Sequence, residues 1–108
     1  MTFKELYTKL KTLGYPVAYA HFAEGDMPEP PFMIYELNST DNFSADGVVY
    51  QMINEIELEL YSKVKDLELE NKIETLLSEN SIFFEKQEYF LEKANMIQTI
   101  YLFDILDN

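Results

Sequence analysis

Cysteine is absent from these 108 residues, which excludes disulfides, thiolate metal sites and cysteine nucleophiles together. Arginine is absent as well. All eight basic residues are lysines, set against twenty Asp and Glu for a net charge of −12. Nucleic-acid backbones are gripped by clustered Lys and Arg, so this balance argues against a phosphate-binding surface. Histidine occurs once, at His21, and there is no nucleophile elbow, phosphate loop or paired-histidine metal motif. No apolar run approaches the ~20 residues that span a bilayer, and no signal-peptide pattern is present. The expectation is a soluble protein made in a cytoplasm, with no membrane partner and no cofactor.

Hydrophobic residues make up 47% of the chain and aromatics 15%, enough to rule against intrinsic disorder despite the charge. The length fits one domain, residues 1–108, stable by about 5–10 kcal/mol without special staples. Charge is unevenly distributed. Between Thr12 and Ser62 there is no lysine, yet nine acids occur: Glu24, Asp26, Glu29, Glu36, Asp41, Asp46, Glu55, Glu57 and Glu59. The last three alternate within a strand-like run over 49–61. A period of two puts these carboxylates on one face, with Asn54, Ile56, Leu58 and Leu60 on the other. One face of this strand is wet and negative, which suits an assembling or a repelling surface.

Along the chain, Thr2 and Glu5 form a capping box that starts a helix over 3–13, with Phe3, Leu6, Tyr7, Leu10 and Leu13 as its core stripe. Gly14 and Pro16 end it. A short strand follows over 17–22, then a loop over 23–31 rich in Pro, Gly and acids, and a second strand over 32–37. Residues 38–47 read as a polar, mobile loop suited to partner contact. The run over 49–61 would be about 40 Å long, more than the ~34 Å diameter of a compact chain of this size, so it bends, bulges or serves as an arm. Asp66 caps a second helix over 67–79, with Leu69, Ile73, Leu76 and Leu77 buried and Glu68 and Glu70 in its first turn. Strands over 82–87 and 94–106 close the chain, linked by a turn at 89–93. Ile97, Tyr101, Phe103 and Ile105 face one way, and Met96, Ile100 and Leu102 the other. Apolar residues on both faces suit a central strand, or one whose second face meets another subunit. The order α-β-β-β-α-β-β predicts an α+β fold: a mainly antiparallel sheet with two helices packed on one face.

Catalysis has little to work with. His21 is placed on a strand with no partner to make it a base. The row Glu55, Glu57 and Glu59 is uniform, with nothing to make one carboxyl the proton-holding member of a pair. The segment 41–47 is faintly calcium-like but lacks the ligand spacing of an EF-hand loop. No enzyme is expected, and no catalytic, cofactor-binding or metal residues are assigned.

A combination of strings remains. A helix ends in Gly14-Tyr15-Pro16-Val17, and Pro30-Pro31-Phe32-Met33-Ile34-Tyr35 leads a strand. The long strand then runs through Glu57-Leu58-Glu59-Leu60-Tyr61-Ser62-Lys63-Val64-Lys65-Asp66 into the acidic helix. Over nearly its whole length the chain resembles the small tail-completion proteins of long-tailed, non-contractile bacteriophages and prophages, the group of tail terminators and tail-to-head joining proteins. The resemblance implies a homo-hexameric ring that caps the tail tube, stops its polymerisation and offers a docking face to the head. Its partners would be the tail tube protein and a head-side connector, with DNA only passing through. Assembly would take place in the bacterial host cytoplasm, before incorporation in the virion tail.

Six domains of that width, edge to edge, leave a hole of about 34 Å. Acids at its rim would keep DNA from sticking, since repulsion is felt within about 8 Å at physiological salt. Asp41 and Asp46, or the row Glu55, Glu57 and Glu59, are the candidate lumen or partner-contact residues. The rival expectation is an acidic DNA mimic or other protein-binding inhibitor, with Glu68, Glu70 and Glu74 extending its carboxylate surface.

Overall fold

The computed structural model describes the backbone of residues 1–45 and 48–107, and the side chains of residues 1–41 and 52–106. Its elements run α1 (Phe3–Lys11), β1 (Val17–Tyr19), β2 (Phe32–Ala45), β3 (Val48–Ser62), α2 (Leu67–Glu79), β4 (Phe84–Leu91) and β5 (Met96–Asp107). The fold is α+β, in the expected order. The five strands form one sheet, β1-β2-β3-β5-β4. β1 joins β2 in parallel, and every other pairing is antiparallel. β5 lies between β3 and β4, as its two apolar faces require.

Strand parity decides which residues meet the helices. Met33 and Tyr35 pair with Leu60 and Leu58, and Leu58 pairs in turn with Tyr101, so all of these share one face. They form a single buried cluster with Leu6 and Leu10 of α1 and Leu69, Ile73 and Leu77 of α2. Both helices therefore cover the same side of the sheet, and the opposite side has no helix over it.

The caps form as the sequence predicts. Thr2 Oγ1 accepts from the Glu5 amide at 3.1 Å and Glu5 Oε1 from the Thr2 amide at 3.4 Å. Asp66 accepts from the Leu69 amide at 3.0 Å, satisfying one of the free N–H groups at the start of α2. Asp66→Ala should cost about 1 kcal/mol in urea unfolding, with the midpoint falling and the denaturant slope unchanged.

Four expectations need correction. Residues 38–45 are strand, not loop: β2 continues to Ala45, paired against β3 back to Val48. The calcium-like segment thereby loses its loop, since residues 41–45 lie in β2; Asp46 and Gly47 fall outside the described residues. β1 stops at Tyr19, which leaves His21 exposed beyond the strand, with Nδ1 against its neighbour's carbonyl oxygen at 3.0 Å. β4 is shifted, running to Leu91 with the turn falling after it.

The continued pairing makes an arm. β5 accompanies β3 only from Met52 onward, and β1 covers only residues 33–35 of β2. Among the described residues, the β2–β3 hairpin beyond those limits pairs with no further strand, although the Leu37 amide donates to the Tyr19 hydroxyl at 3.2 Å. The molecule measures 51 × 30 × 24 Å with a radius of gyration of 15.0 Å, against about 13 Å for a compact chain of this length.

Candidate functional site

The helix-free side of the sheet carries the acidic row. Glu55, Glu57 and Glu59 alternate on β3 with the buried Ile56, Leu58 and Leu60, so all three point away from the helices. β2 adds to them. Glu36 stands directly opposite Glu57, and the pairing then slips by one residue, with Leu37 opposite Ile56 but Ser39 opposite Glu55. Asn38 is the extra residue of this bulge, and its side-chain amide donates to Glu55 Oε1 at 3.0 Å. The slip reverses parity along β2. Asp41, opposite Ile53, consequently shares the face of the acidic row instead of the face of Met33 and Tyr35. Asp41 is exposed on the arm.

Glu36, Glu57 and Glu59 converge, with one carboxylate oxygen from each lying within 4.8 Å of the others. Glu59 is the buried member, 8% exposed. Its register neighbours are Ile34 on β2 and Ile100 on β5, which wall it with aliphatic carbon. Gln98 Nε2 donates to Glu59 Oε1 at 3.1 Å and to the Tyr61 hydroxyl at 2.9 Å. Burial pushes the Glu59 carboxyl up to about 7, helped by a hydrogen bond and charge repulsion from Glu57 and repulsion from Glu36. Burial and the neighbouring Glu59 likewise push the Tyr61 hydroxyl up to about 12. The row is not uniform, contrary to the sequence-based expectation: Glu59 is buried, while Glu55 and Glu57 are half-buried.

Lysines that form ion pairs do so elsewhere. Among the described residues, Lys63 meets Glu29, Lys65 meets Glu70 and Glu88, and Lys86 meets Glu70 and Glu74. The last two lysines hold the buried Glu70 carboxyl below the usual range, against a burial effect that alone would raise it. Glu74 also accepts from the Tyr101 hydroxyl at 2.8 Å. Glu70 and Glu74 are thus bound into the helix–sheet junction, whereas among the described residues the trio on the open face has no lysine within ion-pair distance.

Chemically, the trio brings together one oxygen from each of three carboxylates, and a calcium ion, which takes six to eight oxygen ligands, would need second carboxylate oxygens, neighbouring groups or water to complete its shell. Its chemistry is that of a half-shielded negative patch able to accept a cationic side chain or repel a phosphate. A depression of about 290 Å³ is lined by Glu55, Phe83, Phe84, Glu85, Leu102, Phe103 and Asp104, not by the trio. Of the candidate residues, Glu55, Glu57, Glu59 and Asp41 share one face, Asp46 lies outside the described residues, and Glu36 was missed. Among the described residues, no helix is long and apolar enough to cross a membrane. Neither a protein-family model nor a curated protein matches the chain.

Proposed function

We propose that this chain is a ring-forming tail-completion protein of a long-tailed, non-contractile phage or prophage, which caps the tail tube and presents a face to the head. The β2–β3 arm is the observation that supports this most. A chain of 108 residues that extends 51 Å, with arm edges that pair with no further strand among the described residues, leaves backbone donors and acceptors for another chain to use. The sheet side without helices is a second surface that a neighbour can cover.

In this reading the partners are further copies of the chain, the tail tube protein and a head-side connector. Asp41, on the arm, faces the passage that DNA traverses, and no catalytic step is assigned. Assembly takes place in the host cytoplasm, before incorporation in the tail. The rival reading, an acidic DNA mimic, is weakened because Glu70 and Glu74 turn inward to lysines and Tyr101 instead of extending an exposed carboxylate surface.

Light scattering across concentration, with and without Mg²⁺, followed by negative-stain imaging, tests the reading. A sixfold mass with annular particles is expected. A single-chain mass under every condition would overturn the ring and favour the mimic.

A further inference from the structure

Unpaired lysines gather in one part of the helix layer, which also carries the exposed Glu5, Glu68 and Glu79. Among the described residues, Lys4, Lys9, Lys11, Lys72 and Lys93 have no carboxylate within ion-pair distance. Four of these lie on the helix layer. Lys9 and Lys72 line one groove of about 500 Å³ between α1 and α2, and Lys4 and Lys9 line the adjoining depression on α1. Only two acids, Glu5 and Glu79, line these hollows. Lys11 and Lys72 lie over the rings of Tyr7 and Tyr15, contacts that leave their charge uncompensated. In a chain of net charge −12, this is a concentration of unpaired cations on one side. The other side carries Glu36, Glu57 and Glu59 in mutual contact distance, with no lysine among the described residues within ion-pair distance.

We infer that the lysine-bearing helix layer of one copy docks on the acidic sheet face of the next, in a head-to-tail contact between identical chains. The inference rests on the self-assembly reading above and names the two surfaces involved. Repulsion among three crowded carboxylates is relieved when a lysine enters, and the incoming lysines lack carboxylates of their own. Ile100 and Leu102, half-buried beside Glu59 and Glu57 on β5, supply apolar area within the charged rim, as protein interfaces require. The two surfaces differ, so the contact is heterologous, and such contacts close into rings or run on as filaments according to the rotation per copy. Exposed charges make the contact salt-sensitive. This assigns Glu57 and Glu59 to the subunit contact and leaves the passage to Asp41.

A charge swap tests it. One variant carries Lys4→Glu, Lys9→Glu and Lys72→Glu, and a second carries Glu36→Lys and Glu57→Lys. These sites lie outside the buried core, and thermal unfolding checks that both variants fold. Wild type should assemble, and each variant alone should remain monomeric because its two surfaces then have the same sign. An equimolar mixture should recover assembly, since the reversed helix layer of the first matches the reversed sheet face of the second, and the native sheet face of the first matches the native helix layer of the second. Wild-type rings that persist in both variants, or a mixture that stays monomeric, would overturn the contact while the ring stood. Open filaments with the same charge dependence would support the contact and overturn the ring. A wild type that is monomeric at every concentration and salt would overturn both.

Discussion

Leu58→Ala should lower the free energy of unfolding by about 3–4 kcal/mol, in the range found for fully buried leucines. Leu58 lies at the middle of β3 with no exposed surface. Its register neighbours are Tyr35 and Tyr101, and it belongs to the cluster that both helices cover. Removing its three outer carbons empties the place where all layers meet, and two tyrosine rings cannot collapse into it without leaving their own contacts. Against a total stability of about 5–10 kcal/mol, that loss is a third or more. Denaturant titration reads it as a lower midpoint at constant slope. Leu106→Ala, at a 48% exposed site on the same sheet, should change stability by less than about 0.5 kcal/mol. A loss under about 1 kcal/mol at Leu58 would mean that the central strand does not carry the core described here.

Glu59→Gln should stabilise the monomer by about 2 kcal/mol at pH 8 and leave it unchanged at pH 4. The folded carboxyl protonates near 7, whereas its ordinary value is 4.5. Below pH 4.5 both folded and unfolded forms are neutral and nothing is lost. Between pH 4.5 and 7 the folded chain holds a proton that the unfolded chain has released, so stability falls as pH rises. Above pH 7 the penalty is complete. At 1.36 kcal/mol per pH unit, and with allowance for solvent screening on an open sheet face, it amounts to about 2 kcal/mol. The amide keeps the shape and can still accept from Gln98. Glu70 has the opposite slope, because its lowered carboxyl contributes stability that is lost as pH falls. Comparison of variant with wild type at each pH separates the two. An equal gain at pH 4 and pH 8 would indicate a packing effect and overturn the assignment. The same substitution should weaken assembly at pH 8, since it removes a charge from the surface proposed to receive lysines.

Much of this architecture can be read from local pattern. The capping box at Thr2 and Glu5, the cap at Asp66, the two helical stripes and the parity of β3 and β5 all depend on residues within a few positions of one another. What could not be read depends on partners distant in sequence. Residues 38–45 include Asn38, Asp41 and Asn42, of types depleted in strands, yet the first half of β3 supplies their hydrogen bonds and context overrides propensity. Glu59 looks like Glu55 and Glu57 until the register brings Ile34, Ile100 and Gln98 around it. Glu36 joins the trio only because β2 sets it opposite Glu57. The polar alternation of Glu85, Lys86, Gln87 and Glu88 hides the length of β4, whose Lys86 anchors Glu70 and Glu74 from the helix-facing side.

The extra residue at Asn38 bears on how this gene can change. Loss of that single codon would remove the bulge and leave Leu37 opposite Ile56 and Ser39 opposite Glu55 in a regular ladder, so Asp41 would stay opposite Ile53 on the acidic face. Loss of one residue between Ser39 and Asp41 would carry the outer residues to the other side if the bulge persisted, and would leave them in place if Asn38 moved into the ladder opposite Glu55. The bulge is therefore a reserve of one residue in this part of β2: a single loss is absorbed when the ladder becomes regular, whereas a single gain needs a further bulge to keep the outer residues on their sides.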